Sequence, residues 1–512
     1  MNVDRFFQHH GIRENPFAAE EARLDPIFAR LSSQQGHAHP DYLKILGQVD
    51  HPSTSVVFGE KGSGKTAIRL MIGQAVREHN AANPDRRALL VAHDDLNGML
   101  DLVLQSRARR QRKADIDQLL REVRLEDHQD AILSRAVTRI VDALICFKRE
   151  DDTDIALPTD MPRRMKTVPR RTRLNMAVLA ALYDQPSTGD SLSRWPRLRR
   201  ALRLGARPAI SWPWVGAMTA SLGAIGLVAC WAWRGAAPDW LIIALTVAIA
   251  AAAVCWGLWV RQFFRLWRLT RQIERETIAC ARTARDLRLM LSSIAGRDLQ
   301  GQPWPMPGPG RSNSRYDLTQ RLMDMLEALG YRGILVVVDR VDEPTVVSGH
   351  AERMRSIVWP LLDNKFLKQD RVGLKLLLPI ELRHKLHRES PEFYEEARLD
   401  KQHLIDPLVW SGAILYDLAT DRLRICRPDA AEPMTLNDLF TEEVSKDTLI
   451  DALDQMHQPR DAFKFLYAVI QEHCRMLPDD AAQFRIARPT LEAVRRSQSQ
   501  RVQDLQRGLS PS

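Results

Sequence analysis

Cysteine is scarce in this chain of 512 residues, and the cysteines that are present do not form pairs. No two of them have the CxxC spacing, so neither a disulfide framework nor a structural zinc site is expected, and a reducing compartment is favoured. The first ten residues, MNVDRFFQHH, lack the apolar segment of a cleaved secretory signal. The six cysteines are Cys146, Cys230, Cys255, Cys280, Cys426 and Cys474.

Metal-binding histidine clusters are also missing from the sequence. Three histidine pairs occur, but they lack the acidic or cysteine partners of a metal site, so we interpret them as surface residues. The pairs are His9 with His10, His37 with His39, and His384 with His387.

Lysine is rare as well: it provides 13 of the 73 basic residues, which leaves 60 arginines. The net charge of +9 has three explanations, a nucleic-acid partner, a membrane surface or simple solubility. The charged fraction of 27% is ordinary and excludes wholesale disorder. The length allows roughly three domains. The mean hydropathy of −0.29 argues against a membrane protein, although an average can hide one short apolar block.

Two neighbouring stretches, about 209–233 and 240–260, contain no charged residue. Each is close to the ~20 residues that are needed to cross ~30 Å of hydrocarbon. A pair of helices in a soluble core would present a polar face, and tryptophan lies near the ends of both stretches, as in membrane aromatic belts. The sequence therefore predicts a hairpin of two transmembrane helices.

Arginines crowd both outer ends of the predicted hairpin, whereas its link holds only Arg234 against Asp239. The positive-inside rule then predicts a multi-pass protein of the inner (cytoplasmic) membrane with both termini in the cytoplasm. The same arginines suit anionic lipid, so the lipid bilayer explains part of the basic charge. They are Arg194, Arg197, Arg199, Arg200, Arg203 and Arg207 before the hairpin, and Arg261, Arg265, Arg268, Arg271 and Arg275 after it.

A glycine-rich motif, GEKGSGKT, follows a short β-branched run at residues 53–58. It has the full GxxxxGK[ST] pattern of a phosphate-binding loop, in which backbone N–H groups curl around phosphate oxygens at the N-terminus of a helix. Lys65 is expected at the β- and γ-phosphates, and the Thr66 hydroxyl at Mg²⁺. The predicted ATP-binding residues are Gly59, Glu60, Lys61, Gly62, Ser63, Gly64, Lys65, Thr66 and Ala67.

A second apolar run, GILVVVDRVDE at residues 333–343, ends in carboxylates. Such a run is typical of a strand that is buried on both faces of a parallel sheet. Asp339 at its end is predicted to coordinate Mg²⁺. Asp342 or Glu343 could polarise the attacking water; alternatively, they form the N-cap and first turn of a helix.

Further strand-like runs occur at residues 87–95 and 372–381, with helical stretches between them. This alternation predicts an α/β fold, a P-loop NTPase parallel sheet with helices on both faces, interrupted by the membrane hairpin and followed by a helical region, which the resemblance described below implies to be a lid. The predicted divisions are an N-terminal segment and first part of the nucleotide domain at 1–190, the membrane insert at 191–295, the second part of that domain at 296–400, the lid at 401–485 and a polar tail at 486–512.

The phosphate-binding loop, the strand that ends at Asp339 and the hairpin between them together resemble the KAP family of P-loop NTPases. The resemblance implies a membrane-anchored, cytoplasm-facing ATPase that uses Mg-ATP to drive a conformational switch. By family analogy it implies a role in phage defence. It also implies a homo-oligomer and a protein partner that the sequence does not identify.

The downstream half is similar to the helical lid of AAA+ and ORC-like ATPases. Residues 403–423 resemble the segment that opens such a lid, and residues 457–470 resemble its sensor-2 segment, which implies that Arg460 contacts the γ-phosphate. The resemblance also implies an arginine finger that acts from a neighbouring subunit. Arg398 is our choice for this finger, with Arg383 and Arg388 as alternatives.

The chain departs from the AAA+ pattern in two places. Arg340 stands where such proteins place a glutamate after the metal-binding aspartate. Pro379 and Glu381 stand where the sensor-1 strand would end in Asn or Thr.

Two other functions stay open at this point. The opening segment HHGIRENPF, residues 9–17, is similar to the start of ExeA-type ATPases and would suit a motor for secretion or DNA-related machinery. The missing glutamate favours a nucleotide-binding membrane scaffold with little hydrolysis. A nucleic-acid partner is less favoured than the bilayer as the explanation of the basic charge.

Overall fold

The chain forms two compact units. The first unit comprises Met1–Leu96 and Arg332–Ser512, and the second unit comprises Asn97–Tyr331. The computed structural model describes residues 1–18, 21–33, 39–111, 114–145, 155, 161–186, 190–205, 212–234, 239–307, 313–397, 399, 402–428, 432–478 and 481–506.

A five-stranded sheet with the order β2-β3-β4-β1-β5 forms the centre of the first unit. Strand β4 is parallel to both of its neighbours, β1 and β3, and β5 is parallel to β1. The predicted parallel α/β sheet is therefore confirmed. The strands are β1 Ser55–Gly59, β2 Arg87–His93, β3 Tyr331–Val338, β4 Val372–Pro379 and β5 His403–Ile405.

The central strands are apolar and buried on both faces of the sheet. Every residue of β1 and β4 is buried, and so is every residue of β3 except its second. On one face Val57 and Leu377 pack with Ile68 and Ile72 of the helix that follows β1. The helices of the first unit are α1 Val3–His9, α2 Pro26–Ser33, α3 Tyr42–Leu46, α4 Lys65–Ala82, α16 Ala351–Val358, α17 Asn364–Leu367, α18 Ile380–Leu386, α19 Pro391–Ala397, α20 Gly412–Ile425, α21 Lys446–Asp454, α22 Pro459–Met476 and α23 Arg488–Gln506.

A second hydrophobic core in the first unit joins the two ends of the chain. Phe6 of α1 and Ile27 of α2 pack among Leu415, Phe465 and Leu491 of the C-terminal helices. The predicted polar tail at 486–512 forms α23 as far as Gln506, because its few apolar residues complete this core.

Every secondary-structure element that lies wholly within the described part of the second unit is a helix. A buried ion pair ties its elements together: Arg315 donates to Asp130 at 3.0 and 3.1 Å, and the Tyr183 hydroxyl donates to the same carboxylate at 2.8 Å. Its helices are α5 Asn97–Arg110, α6 Ile116–Arg121, α7 Leu125–Leu144, α8 Met161–Thr167, α9 Arg170–Tyr183, α10 Ser191–Ala201, α11 Trp212–Arg234, α12 Asp239–Glu276, α13 Ala284–Ser292, α14 Gly296–Leu299 and α15 Asn313–Ala328.

The unit boundaries differ from the predicted divisions at 190 and 296. The first unit breaks off after Leu96 and resumes at Arg332, because helices before and after the apolar hairpin pack into one core. The buried Asp130–Arg315 pair links residues 185 positions apart, and local sequence patterns do not reveal such a contact.

Helices α11 and α12 are the apolar hairpin. They approach closely at glycines: a Cβ at Gly223 would lie 2.8 Å from the Ala248 Cβ, and one at Gly216 would lie 3.1 Å from the Trp256 ring. Within the described residues, Thr246–Glu276 of α12 is long and apolar enough to cross a membrane, whereas Val215–Gly226 of α11 is a shorter apolar stretch. Among the described residues one candidate span is therefore present, and the second span of the predicted hairpin stays a prediction. Arg207 and the link residues 235–238 lie outside the described residues.

Candidate functional site

The glycine-rich motif lies between β1 and α4, which is the strand–loop–helix context that the motif predicts. Gly62 has φ +101° and Gly64 has φ +92°, a backbone region that side chains other than glycine rarely adopt. A Cβ at Gly62 would also lie 2.8 Å from Gln458 Oε1. Both glycines are therefore required by the path of the loop, and α4 begins directly after them at Lys65.

Lys65 bends back over the loop. Its Nζ donates to the carbonyl oxygens of Gly59 and Glu60, both at 2.8 Å. Burial lowers the pKa of the Lys65 ammonium, and nearby carboxylates, first Asp339 and then Asp342, oppose that shift. The ammonium therefore lies among acidic groups at the carboxyl edge of the sheet.

Thr66 and Asp339 come together although 273 residues separate them in the chain. The Thr66 hydroxyl donates to Asp339 Oδ2 at 3.4 Å. Asp339 is 1% exposed; burial raises the pKa of its carboxyl, and the charge of Arg69, whose Nη1 is 4.0 Å from Oδ2, is the main opposing effect. Arg69 also binds Asp94 at 2.8 Å, at the end of β2.

The donor set at this position fits Mg²⁺. A hydroxyl and a carboxylate converge, and oxygen ligands are what this hard cation prefers. In the part of the chain that the structure describes, no group of three His, Cys, Asp or Glu side chains could hold a metal ion. Thr66 and Asp339 would accordingly hold Mg²⁺ together with phosphates and water rather than in an all-protein cage.

Asp342 and Glu343 follow β3 in a turn, and α16 begins only at Ala351. Their interpretation as a helix N-cap and first-turn acid is therefore wrong. Both line the same cleft as Lys65 and Asp339. The Glu343 side chain is 55% exposed and pairs with Arg340 at 3.3 Å, while partial burial raises the pKa of its carboxyl.

The C-terminal helices close the other side of the loop. Arg460, in the first turn of α22, lines the cleft, and its Cβ and Cδ would each lie 3.1 Å from a Cβ at Gly62. Arg460 is thus at the phosphate-binding loop, as its predicted role requires. Arg398 lies outside the described residues. Arg383, one alternative to it, pairs with Asp406.

The cleft has a volume of about 440 Å³ and draws on parts of the chain to which the sequence assigned no site. Its apolar portion is suited to a flat ring because it combines aromatic and aliphatic side chains. No local motif marks these residues, since they converge only through the tertiary fold. They are Phe28 and Leu31 of α2, Met71 of α4, Leu418 of α20 and Phe463 of α22.

Four further polar or aromatic residues contact the loop, line the cleft or face Asp339. Gln458 donates through Nε2 to the Glu60 carboxylate, and Trp410 donates to the Ser63 carbonyl oxygen. Glu381, just after β4, lines the cleft, and Arg69 faces Asp339. Glu381 stands at a position that departs from the AAA+ pattern. Trp410 and Gln458 lie in the two segments that resemble the AAA+ lid, although neither residue was assigned a role from the sequence.

His39 also lines the cleft. It is 5% exposed, so its interpretation as a surface histidine is wrong. Its partner in the sequence, His37, lies outside the described residues.

Comparison of the chain with family models, with curated proteins and with solved structures found no match. The fold and the geometry of this cleft therefore carry the functional argument alone.

Proposed function

We propose that this protein is a membrane-anchored, cytoplasm-facing ATPase that binds Mg-ATP in the cleft at the carboxyl edge of its sheet, as the KAP resemblance implies. The observation that carries the proposal is the convergence of Lys65, Thr66 and Asp339. The glycine-rich motif alone does not distinguish a phosphate-binding loop from an ordinary glycine-rich turn. A loop whose threonine hydroxyl lies 3.4 Å from a buried carboxylate of another strand is what a metal–phosphate substrate needs.

Hydrolysis would proceed by in-line attack of water on the γ-phosphate. Lys65 leaves the loop carbonyls and places its charge on the phosphates, while the loop N–H groups hold their oxygens. Bound Mg²⁺ would neutralise negative charge that develops on the phosphates. Asp342 or Glu343 orients the attacking water, and Arg460 adds positive charge from the lid.

The membrane part of the proposal is a hairpin in which both α11 and α12 span the bilayer. Its support is the close glycine-mediated packing of the two helices and the outward exposure of their apolar residues, such as Leu222 and Val247 at 65% and 62%. The flanking arginines would bind anionic lipid heads. Nucleotide binding would then change the conformation of this membrane-anchored protein. The protein would work as a homo-oligomer and act on a protein partner that is still to be identified.

Phosphate release by the full chain in lipid nanodiscs tests the enzymatic proposal. Lys65→Ala and Asp339→Asn should each lower the rate at least 100-fold, because each removes charge that phosphoryl transfer requires. Matched controls are Lys44→Ala and Asp370→Asn, at exposed positions outside the cleft, which should retain wild-type rates. Equal rates in wild type and Lys65→Ala would reject the proposal.

One observation favours a second function, a nucleotide-binding scaffold with little turnover. Arg340 occupies the position after Asp339 and pairs with Glu343, so the acid that would orient water is bound to a neighbour. ATP binding that depends on Lys65, without phosphate release, would support the scaffold over the ATPase.

A further inference from the structure

The peptide unit between Ser63 and Gly64 is held by a side chain from outside the phosphate-binding loop. Trp410 Nε1 donates to the Ser63 carbonyl oxygen at 2.8 Å. Its ring carbon Cζ2 would lie 3.5 Å from a Cβ at Gly64, which is ordinary van der Waals contact. Trp410 is 7% exposed, so water competes little for this bond. The indole therefore packs against the loop and binds it at one defined point.

Trp410 is itself fixed by the N-terminal part of the chain. The His39 ring packs edge-to-face on the indole, with centroids 4.9 Å apart. His39 Nε2 donates to the Val409 carbonyl oxygen at 2.7 Å. Because His39 binds the residue before Trp410 and also touches its ring, the indole N–H has a defined direction.

The direction of this bond determines where the Gly64 N–H points. A trans peptide is planar, with its C=O and N–H on opposite sides. A Ser63 carbonyl that is held on Trp410 therefore aims the Gly64 N–H away from the indole. The flanking glycine backbone cannot select this orientation by itself, since glycine adopts positive and negative φ with nearly equal ease. An outside contact is needed to choose one orientation.

We propose that Trp410 is a positioning residue of the phosphate-binding loop, which preorganises the Gly64 N–H for a phosphate oxygen. The inference rests on the proposed binding of nucleotide at this loop. Without the indole N–H, the buried Ser63 carbonyl loses a partner and the peptide rotates among orientations. A loop that is competent for only a fraction of the time binds phosphate with an affinity that is reduced by that fraction.

Removal of the indole N–H tests this role. Trp410→Phe keeps an aromatic ring and removes the N–H; it should weaken ATP binding about fivefold, the value of one buried hydrogen bond, and leave adenosine binding unchanged. The matched control is Trp359→Phe, since Trp359 Nε1 donates to Glu389 at 3.0 Å away from the loop. It should change neither affinity. Both ligands are titrated into the full chain in lipid nanodiscs.

The ratio of ATP affinity to adenosine affinity decides the outcome, because partial unfolding of a variant affects both ligands alike. A ratio in Trp410→Phe that equals the wild-type ratio would overturn the positioning role. A fall in this ratio that Trp359→Phe does not share would support it. A wild-type chain that binds adenosine and ATP equally, or binds no ATP, overturns the proposed function and this inference with it.

Discussion

Lys375 carries a charge into the middle of the sheet. It lies in β4 and is fully buried, and its Nζ donates to the Ser53 carbonyl oxygen at 2.8 Å. Burial lowers the pKa of this ammonium from 10.5 to about 7. The loss of hydration is the cause, since a carbonyl oxygen satisfies one N–H but supplies no full negative charge.

The lowered pKa of Lys375 predicts a pH dependence of stability. Between pH 7 and pH 10.5 the unfolded chain binds more protons at this residue than the folded chain. The free energy of unfolding should therefore rise with pH across this window. Below pH 7 the full cost of the buried charge is present. Lys375→Met should stabilise the protein by roughly 1–4 kcal/mol at pH 6, with a smaller gain at pH 9.

Denaturant unfolding of wild type, Lys375→Met and Lys44→Met in detergent, followed by circular dichroism at both pH values, measures the effect. Lys44 is exposed, so its replacement should change stability little at either pH. If the difference between wild type and Lys375→Met is the same at pH 6 and pH 9, Lys375 does not titrate in this range.

At the scale of elements, the sequence predicts what local patterns encode. Strands β1 to β4 and helix α4 were predicted because continuous apolar runs and the glycine motif mark them. Strand β5 was missed, since three residues carry no periodicity and its stretch resembles a lid. The Trp410–Ser63 bond escaped prediction for a different reason: it spans 347 residues and rests on the fold, not on a motif.

Helix α22 carries two arginines, one at the glycine-rich loop and one exposed at the other end of the helix. The exposed arginine serves as the control for the arginine at the loop. Arg460 lies in its first turn at the loop, and Arg475 lies in its last turn with a side chain that is 79% exposed. Arg460→Ala should lower phosphate release at least tenfold, because the charge it adds at the γ-phosphate matters most in the transition state. ATP affinity should fall by less than about threefold.

Arg475→Ala removes the same functional group from the same helix and should leave both quantities unchanged. Rates and affinities are measured on the full chain in nanodiscs. Parallel losses of affinity and rate in Arg460→Ala would instead make this arginine a ground-state binding residue. An unchanged rate of phosphate release in Arg460→Ala would show that Arg460 takes no part in hydrolysis.

At the scale of the whole molecule, the chain path leads from the apolar hairpin to Asp339, the proposed metal ligand. Helix α12 ends at Glu276, whose carbonyl oxygen accepts a hydrogen bond from Arg315 Nη2 at 2.9 Å. Arg315 belongs to α15, which continues through a two-residue turn into β3. Strand β3 ends directly before Asp339. The chain from Arg315 to Asp339 therefore consists of one helix, a two-residue turn and one strand.

Membrane topology distinguishes one span from two. In a background without the six native cysteines, we introduce Ala81→Cys at the end of α4, Asp239→Cys at the start of α12 and Ser497→Cys on α23. Two spans predict that a membrane-impermeant maleimide labels only Asp239→Cys in intact cells with a permeabilised outer membrane. The arginine-rich flanks should hold both other sites in the cytoplasm.

The three sites separate the alternatives because each arrangement gives its own labelling pattern. If α12 alone crosses the bilayer with its C-terminal end inside, Ala81→Cys and Asp239→Cys are both labelled from outside; this pattern would contradict the fold as well, because β1 and β4, which pair in the sheet, would lie on opposite sides of the membrane. If neither helix crosses, none of the three is labelled in intact cells. Lysis of the cells should make Ala81→Cys and Ser497→Cys reactive, since both residues are exposed. Labelling of Asp239→Cys alone, followed by labelling of all three after lysis, is the pattern that a cytoplasmic ATPase on a two-helix anchor requires.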